Sequence, residues 1–183
     1  MAVLPKEKTY SDYENTPEGG KYQLICGEIV EMTSPSSYHQ EICFRLLLKL
    51  GNFVSIKKNG KIFPAPMDVT LSPKDTVQPD LLFIEKSRYS IIQEKRIVGA
   101  PDLVVEVLSP STAYIDLKYK KDLYENSGVI EYWIVDPQDH SIEVYYKESD
   151  DFIRIQKSSK EGKVISRVLD SLEINIKDVF EAE

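Results

Sequence analysis

The sequence predicts an α+β fold: a mixed, mostly antiparallel β-sheet with helices on its faces. Three observations support this prediction. Short apolar segments, separated by Gly, Pro, Asn and Ser, recur along most of the chain. Residues 38–50 form a longer segment whose apolar positions follow helical spacing. After Asp136, Ile142, Val144 and Tyr146 alternate with polar residues, which is typical of a half-exposed antiparallel strand.

Length and composition indicate an ordinary globular protein. The chain has 183 residues, 42% hydrophobic and 29% charged, which fits one domain with its own core. We therefore expect a single domain over residues 1–183, with residues 1–20 as a lead-in. No apolar run approaches the roughly 20 residues needed to cross a bilayer, and the first residues lack the apolar stretch of a signal peptide. We expect no membrane partner and a cytoplasmic location.

The net charge and the cysteine count argue against some kinds of protein and of metal site. A formal net charge of -7 argues against a general nucleic-acid coat protein, which would be basic. It does not exclude an enzyme acting on nucleic acid, because acids that bind a cation still count towards the net charge. Cys26 and Cys43 are too few and too far apart in sequence to predict a zinc cluster or a disulfide framework. We expect two reduced cysteines.

The first half of the chain predicts these elements in order. Residues 22–25 and 28–32 predict a hairpin around Cys26 and Gly27. A helix follows over 38–50, capped by serines before it and ended by Gly51. Short strands are predicted over 53–56, 61–65 and 67–71, between turns that contain Pro and Asn-Gly.

The second half of the chain predicts a central sheet and a β-meander. Strands are expected over 79–84, 101–108 and 131–136, with a loop or short helix over 87–97 and a helix over 115–126 ended by Gly128. Tyr132 and Trp133 are predicted as core residues. The meander strands are 141–146, 152–156 and 164–168. The tail, 172–180, is apolar enough to pack on the core.

An acid inside an apolar strand is the most informative local feature. Glu106 lies in the run Leu-Val-Val-Glu-Val-Leu at 103–108, and a buried carboxylate is costly unless a cation or hydrogen bonds compensate it. Side chains alternate along a strand, so Asp102 and Glu106 share a face. If the strand that follows Asp80 pairs beside this one, Asp80 and Glu106 converge. Two carboxylates form an oxygen site that suits Mg²⁺ or Mn²⁺.

The same region resembles a known family of nucleases. Residues 77–81, 99–112, 116–120, 124 and 128–137, with 27–32, 34–35 and His39 upstream, carry the resemblance. They are similar to the PD-(D/E)XK nuclease superfamily and, within it, to the bacterial restriction endonucleases of the Uma2 type. The resemblance implies a restriction-endonuclease-like core, a divalent metal cofactor and DNA as the substrate. It covers 20–137 closely and the remainder loosely.

The resemblance also implies roles for individual residues. Asp80 matches the Pro-Asp metal ligand and Glu106 the acidic position of the motif, so both are expected to bind the metal. The lysine position two residues later is Leu108 here, a departure that implies a lysine on the following helix. Lys120 occupies the matching position, with Lys121 as the alternative.

Three further residues are candidates for support. His39, at the start of a helix, could reach the phosphate or a water, or could serve only in capping or packing. Asp102 could support the site or cap the start of a strand. Glu28 could supply an extra acid or lie on the surface.

Two functions therefore compete. The first is a Mg²⁺- or Mn²⁺-dependent endonuclease acting on DNA, with Asp80, Glu106 and Lys120 as the catalytic residues. A homodimer is plausible because cutting two strands calls for two sites. The second is a catalytically inactive nucleic-acid- or protein-binding module on a nuclease fold, which Leu108 and the acidic charge favour. Glycoside hydrolysis by paired carboxylates is disfavoured because the sequence lacks an aromatic-rich sugar groove.

Overall fold

The computed structural model describes residues 7–17, 21–109 and 119–181, and it has the predicted mixed α+β fold. The strands of the described residues are β1 (Tyr22–Ile25), β2 (Glu28–Glu31), β3 (Gly60–Pro64), β4 (Val69–Ser72), β5 (Asp75–Val77), β6 (Leu81–Glu85), β7 (Ile97–Val98), β8 (Leu103–Val107), β9 (Glu131–Asp136), β10 (Ser141–Glu148), β11 (Asp151–Ser159), β12 (Lys163–Ile165) and β13 (Glu173–Asn175). The helices are α1 (Tyr10–Tyr13), α2 (Ser37–Lys57), α3 (Lys121–Ser127) and α4 (Lys177–Phe180), with a 3₁₀ helix at Lys86–Ile91.

A six-stranded sheet forms the centre of the molecule. Its strand order is β11-β10-β9-β8-β6-β3, and only the β8–β9 pair is parallel. The strands β6, β8 and β9 are almost wholly buried, as expected for central strands covered on both faces. Tyr132 and Trp133 are fully buried in β9, which confirms their prediction as core residues.

The two faces of this sheet support two different cores. Leu103, Val105 and Val107 face the core that holds α2 and the C-terminal segment. Val104 faces a second core, which contains Tyr124 of α3 and residues of the other large sheet. That sheet has five strands in the order β2-β1-β5-β4-β7. The period-two alternation of β8 thus separates α2 from α3, on opposite faces of the sheet.

The first long helix extends further than predicted. Helix α2 continues through Gly51 to Lys57, so the strand predicted over 53–56 is wrong. The row of buried residues Ile42, Leu46 and Leu50 continues to Val54 at the same four-residue spacing, and packing of that face outweighs the glycine's low helix propensity. The helix ends at Lys58, which adopts a left-handed conformation with φ 54°.

Of the three strands predicted for the C-terminal meander, the first two pair and the third does not join them. Strands β10 and β11 pair as predicted, but β12 pairs with β13 in a separate two-stranded sheet and not with β11. The tail packs on the core, as predicted, through Ile174, Ile176, Val179 and Phe180. The hairpin around Cys26 and Gly27 also forms, with positive φ at both residues, which is the geometry of the tight turns that hairpins favour.

Of the helix predicted over 115–126, the described part is α3, which Gly128 ends with φ 92°. Residues 110–118, including the matched positions 116–118, lie outside the described residues. Within the described ranges, no helix combines the length and the apolar character that crossing a lipid bilayer would require.

Candidate active site

Strand register places the two predicted metal ligands beside each other. Strands β6 and β8 are antiparallel, with Leu81 opposite Val105. One step further along the same register, Asp80 precedes β6 and lies opposite Glu106. The Oδ2 atom of Asp80 accepts a hydrogen bond of 2.8 Å from the backbone N–H of Val107. The two carboxylates therefore meet at one end of the central sheet.

His39 reaches Asp80 from the first turn of α2. The Oγ atom of Ser36 caps this helix by accepting a hydrogen bond from the His39 N–H at 3.1 Å. The imidazole Nε2 atom lies 2.9 Å from the carbonyl oxygen of Val107 and 3.3 Å from Oδ2 of Asp80. Burial lowers the pKa of His39, but the hydrogen bond and charge of Asp80, the hydrogen bond to the Val107 carbonyl and the charge of Glu106 together outweigh it, so the net shift is upward.

Lys120 and Tyr124 reach Glu106 from the opposite face of the sheet. The Nζ atom of Lys120 lies 2.9 Å from Oε1 of Glu106, and the Tyr124 hydroxyl donates to the same oxygen at 2.6 Å. All three side chains are buried. An ammonium and a phenol on one carboxylate oxygen supply the compensation that a charge in an apolar strand needs. Lys120 immediately precedes α3, and Tyr124 lies one turn later.

These groups open onto one cavity of about 660 Å³. Asp80, Glu106, Lys120 and His39 all line it. The remaining lining residues come from six parts of the chain: β1 and the residue before it, the segment before α2, α2 itself, the segment after β3, the segment before β6, and the end of β8 with the residues after it. They are Lys21, Gln23, Met32, Thr33, Ser34, Pro35, Gln40, Ala65, Pro66, Gln78, Val107 and Ser109. The carboxylates are thus reachable by an ion, a water or a substrate.

A second donor set overlaps this site. One ligand atom from each of His39, Cys43 and Asp80 lies within 4.8 Å of the others. Burial, followed by the charges of Asp80 and Glu106, raises the pKa of the Cys43 thiol well above its usual range. The carboxylate oxygens of Asp80 and Glu106 are donors of the kind that suit Mg²⁺ or Mn²⁺.

Two of the predicted support residues lie elsewhere. Asp102 is buried, but it accepts hydrogen bonds from Arg88 Nη1 at 2.8 Å and from the Glu85 N–H at 2.7 Å. It anchors the 3₁₀ helix to the start of β8 and does not line the cavity. Glu28 is exposed at the start of β2 and does not line it either.

The structure also places Leu108, at the usual lysine position of the motif, and Lys121, the alternative lysine. Leu108 packs against the core that contains Tyr124. Lys121 lies over the ring of Tyr145, with Nζ 4.4 Å from its centroid. Of these two positions and Lys120, only Lys120 lines the cavity.

Three residues in or beside the site were given no role from the sequence. Tyr124 could have been found as the residue one helical turn after Lys120. Cys43 could have been found as the residue one turn after His39, since residues four apart share a helix face. Gln23, on β1, offers no such pattern, because its place in the cavity depends on how the two large sheets pack.

Both cysteines are free, as expected: Cys26 is exposed and Cys43 is partly buried.

Comparisons with known proteins agree with this architecture. The chain is 28% identical over 136 residues to the uncharacterized protein sll1609 of Synechocystis, an alignment that covers 71% of this chain and 74% of the relative. A crystal structure from Anabaena variabilis, described as a "putative nuclease belonging to DUF820", superposes with a TM-score of 0.78. It shares 20% identity, and the match covers 94% of this chain and 97% of that one, which establishes similarity of fold.

A family model matches nearly the whole chain. The model, over residues 8–177, is that of Uma2, described as "Putative restriction endonuclease". The matched range includes Asp80, Glu106 and Lys120, and it extends from the segment before α1 to the start of α4. This chain therefore belongs to the Uma2 family of restriction-endonuclease-like proteins.

Proposed function

We propose that this protein is a metal-dependent endonuclease that hydrolyses phosphodiester bonds of DNA. The observation that carries the proposal is the pairing of Asp80 and Glu106 at the end of two adjacent strands, in one cavity with the amine of Lys120. Carboxylates that hold a divalent ion, with an amine beside them, are groups that promote phosphodiester hydrolysis. Membership of the Uma2 family supports the same activity.

Asp80 and Glu106 would hold Mg²⁺ or Mn²⁺. Their oxygens are hard ligands, and the open cavity leaves room for waters and a substrate phosphate. When bound, such an ion lowers the pKa of a coordinated water and offsets charge on the phosphodiester. The backbone N–H of Val107 orients Asp80, so this carboxylate is positioned before any ion arrives.

Lys120 supplies positive charge beside the acids. Its ammonium lies against Glu106 and lines the cavity, where it would orient the attacking water or stabilise the charge that develops on the phosphorus oxygens. A buried site strengthens this interaction because little water screens it. The supply of the amine from the start of α3 would compensate for Leu108 at the usual lysine position.

His39 holds the other carboxylate. Its Nε2 atom lies between the Val107 carbonyl and Asp80, which suits a residue that positions the ligand and the end of β8. It lines the same cavity, so it also lies within reach of a bound phosphate.

Cutting both strands of a duplex takes two active sites. A homodimer would supply them, one site in each subunit.

The decisive experiment replaces Asp80 by asparagine, which keeps the shape of the side chain and removes its charge. The wild type should bind Mn²⁺ in calorimetry and nick supercoiled plasmid with Mg²⁺ or Mn²⁺. The Asp80→Asn protein should lose ion binding and at least about 100-fold in cleavage rate, which corresponds to about 2.7 kcal/mol of transition-state stabilisation.

Glu28→Gln is the matched control, since this acid is exposed and away from the cavity. It should leave ion binding and cleavage at wild-type levels. Undiminished cleavage by a folded Asp80→Asn protein would overturn the assignment of this residue as a ligand.

The second candidate function is a nuclease fold that binds without cutting. One observation favours it: Glu106 already has an ammonium at 2.9 Å, so its charge is compensated without an ion. This candidate predicts no Mn²⁺ binding and no cleavage by the wild type, with retained affinity for DNA or for a protein. The calorimetric titration of the wild type separates the two candidates before any variant is made.

A further inference from the structure

The side chain of Gln23 is buried at the wall of the cavity, and its amide oxygen accepts no hydrogen bond from the described residues. The residue lies in the middle of β1 and is only 4% exposed, yet it lines the cavity that contains Asp80 and Glu106. Its Oε1 atom has no hydrogen-bond partner within the described parts of the chain. A buried acceptor left unpaired costs about 1–3 kcal/mol, so a ligand that brings a hydrogen-bond donor to Oε1 would gain affinity.

The partner that Oε1 requires must carry a hydrogen-bond donor. A phosphodiester group has oxygens only and cannot supply one, so the phosphate of the substrate is not this partner. A nucleobase can, because its Watson–Crick edge combines N–H donors with adjacent acceptors, and an amide matches such an edge with two hydrogen bonds. In a duplex that edge is occupied by the opposite strand. Gln23 therefore suits a base that is not paired.

The rest of the cavity fits one unpaired nucleotide. Met32, Pro35 and Pro66 contribute apolar surface to the walls, and apolar side chains stack against the faces of extruded bases. At the mouth, Lys21 Nζ lies 3.3 Å from Ser34 Oγ, where the pair can contact a neighbouring phosphate. A volume of about 660 Å³ is that of a pocket for a small molecule.

The charge distribution also disfavours a long duplex. Tight binding of a duplex relies on many Lys and Arg contacts to phosphates. Among the described residues that line the cavity, the lysines are Lys21 and Lys120, and Lys120 is paired with Glu106. The chain as a whole carries a net charge of -7. We therefore expect contacts inside the cavity to contribute to the affinity.

We infer that the cavity binds an unpaired nucleotide, whose base is held by the Gln23 amide, so that the preferred substrate is single-stranded or locally opened DNA. This inference rests on the proposed nuclease function and names its substrate class. Gln23 contacts the base, while Asp80, Glu106 and Lys120 act on the adjoining phosphodiester.

The test compares one labelled DNA strand, alone and annealed to its complement, by fluorescence anisotropy with Ca²⁺ in place of Mg²⁺. The unaltered protein should bind the single strand at least about tenfold more tightly than the duplex, the size expected for one or two hydrogen bonds. It should also cut the single strand faster with Mg²⁺. Because this comparison needs no variant, it does not depend on how a mutant folds.

Two variants test whether Gln23 is responsible for the preference for single-stranded DNA. Gln23→Met should lose about tenfold in single-strand affinity while its thermal stability is unchanged or higher, because an unpaired buried acceptor has been removed. Gln93→Met is the matched control: this exposed glutamine does not line the cavity, and its replacement should leave the affinity unchanged.

Equal or tighter binding of the duplex would overturn the inference, as would single-strand affinity unaltered by Gln23→Met. Metal-dependent cleavage that is equally fast on both substrates would refute the inference and leave the nuclease function standing. If neither form of DNA is bound or cut, the nuclease function fails, and this inference fails with it.

Discussion

The ammonium nitrogen of Lys120 lies 2.9 Å from Oε1 of Glu106, and the two residues are only 2% and 3% exposed. Removing one partner of a buried ion pair leaves a charge without its compensation and costs about 3–5 kcal/mol. We therefore expect Lys120→Met to lower the free energy of unfolding by about this amount, and Glu106→Gln to lower it similarly.

The double variant should lose less stability than the sum of the two single variants, because neither buried charge then remains. Urea unfolding of the four proteins measures this coupling. Additive losses would mean that the two side chains do not stabilise each other.

We expect the hydroxyl group of Tyr124 to stabilise the carboxylate of Glu106 through its hydrogen bond. Tyr124→Phe removes the 2.6 Å hydrogen bond to Oε1 and should cost about 1–3 kcal/mol of stability. Cleavage should also slow, because Glu106 becomes less firmly held. Thermal melts and plasmid nicking give the two readouts.

Tyr145→Phe is the control for this change. The Tyr145 hydroxyl donates to Glu143 at 2.7 Å, a similar phenol–carboxylate contact away from the cavity. This variant should leave the cleavage rate unaffected. Equal slowing in both variants would show that the effect reports on the fold and not on Glu106.

Asp102 should matter for folding and not for the metal. Its carboxylate accepts hydrogen bonds from Arg88 and from the Glu85 N–H, and it lies away from the cavity. Asp102→Asn weakens an ion pair that is buried on the carboxylate side, so the melting temperature should fall. Calorimetry should give an unchanged Mn²⁺ affinity for the folded variant. A loss of ion binding without a loss of stability would assign Asp102 to the site after all.

Glu131 should make folding stability depend on pH. This fully buried acid accepts hydrogen bonds from Trp133 Nε1 and from the Arg167 and Val168 N–H groups. Burial nevertheless raises its pKa in the folded state. The folded protein therefore holds this proton more strongly than the unfolded chain does. Its contribution to stability is greatest below the unfolded value of about 4.3 and declines as the pH rises through the folded pKa.

The Glu131→Gln variant has no carboxyl group at this position, so the pH dependence that Glu131 causes should be absent from it. The unfolding free energy of the wild type minus that of Glu131→Gln should fall as the pH rises from below about 4.3 through the raised pKa. Urea unfolding of both proteins at several pH values measures the difference. A difference that is flat or rises with pH would contradict the upward shift.

Local patterns were sufficient to find part of the site. Glu106 could be identified because a carboxylate among valines is costly, and Asp80 because it precedes the neighbouring apolar strand. Lys120 came from the resemblance, since an exposed helical lysine and a buried one look alike in sequence. The roles of these residues stay predictions until the variants are measured.

Helix α2 illustrates where local patterns fail. Gly51 is a common helix terminator, yet it lies inside the helix, because Leu50 and Val54 continue the face buried against the core. A similar limit applies to β12, whose apolar residues suited a third meander strand but which pairs with β13.

The sequence alone determined the mixed α+β class, the central apolar strands and the acids they carry, because alternation and burial cost act between residues that are close along the chain. Only the tertiary structure decided which side chains share the cavity. His39 and Gln23 line the cavity from a helix and from a second sheet, and Tyr124 contacts Glu106 from the other face of the central sheet. Their meeting depends on how two separate cores pack, and packing between distant segments leaves no periodic trace in the sequence.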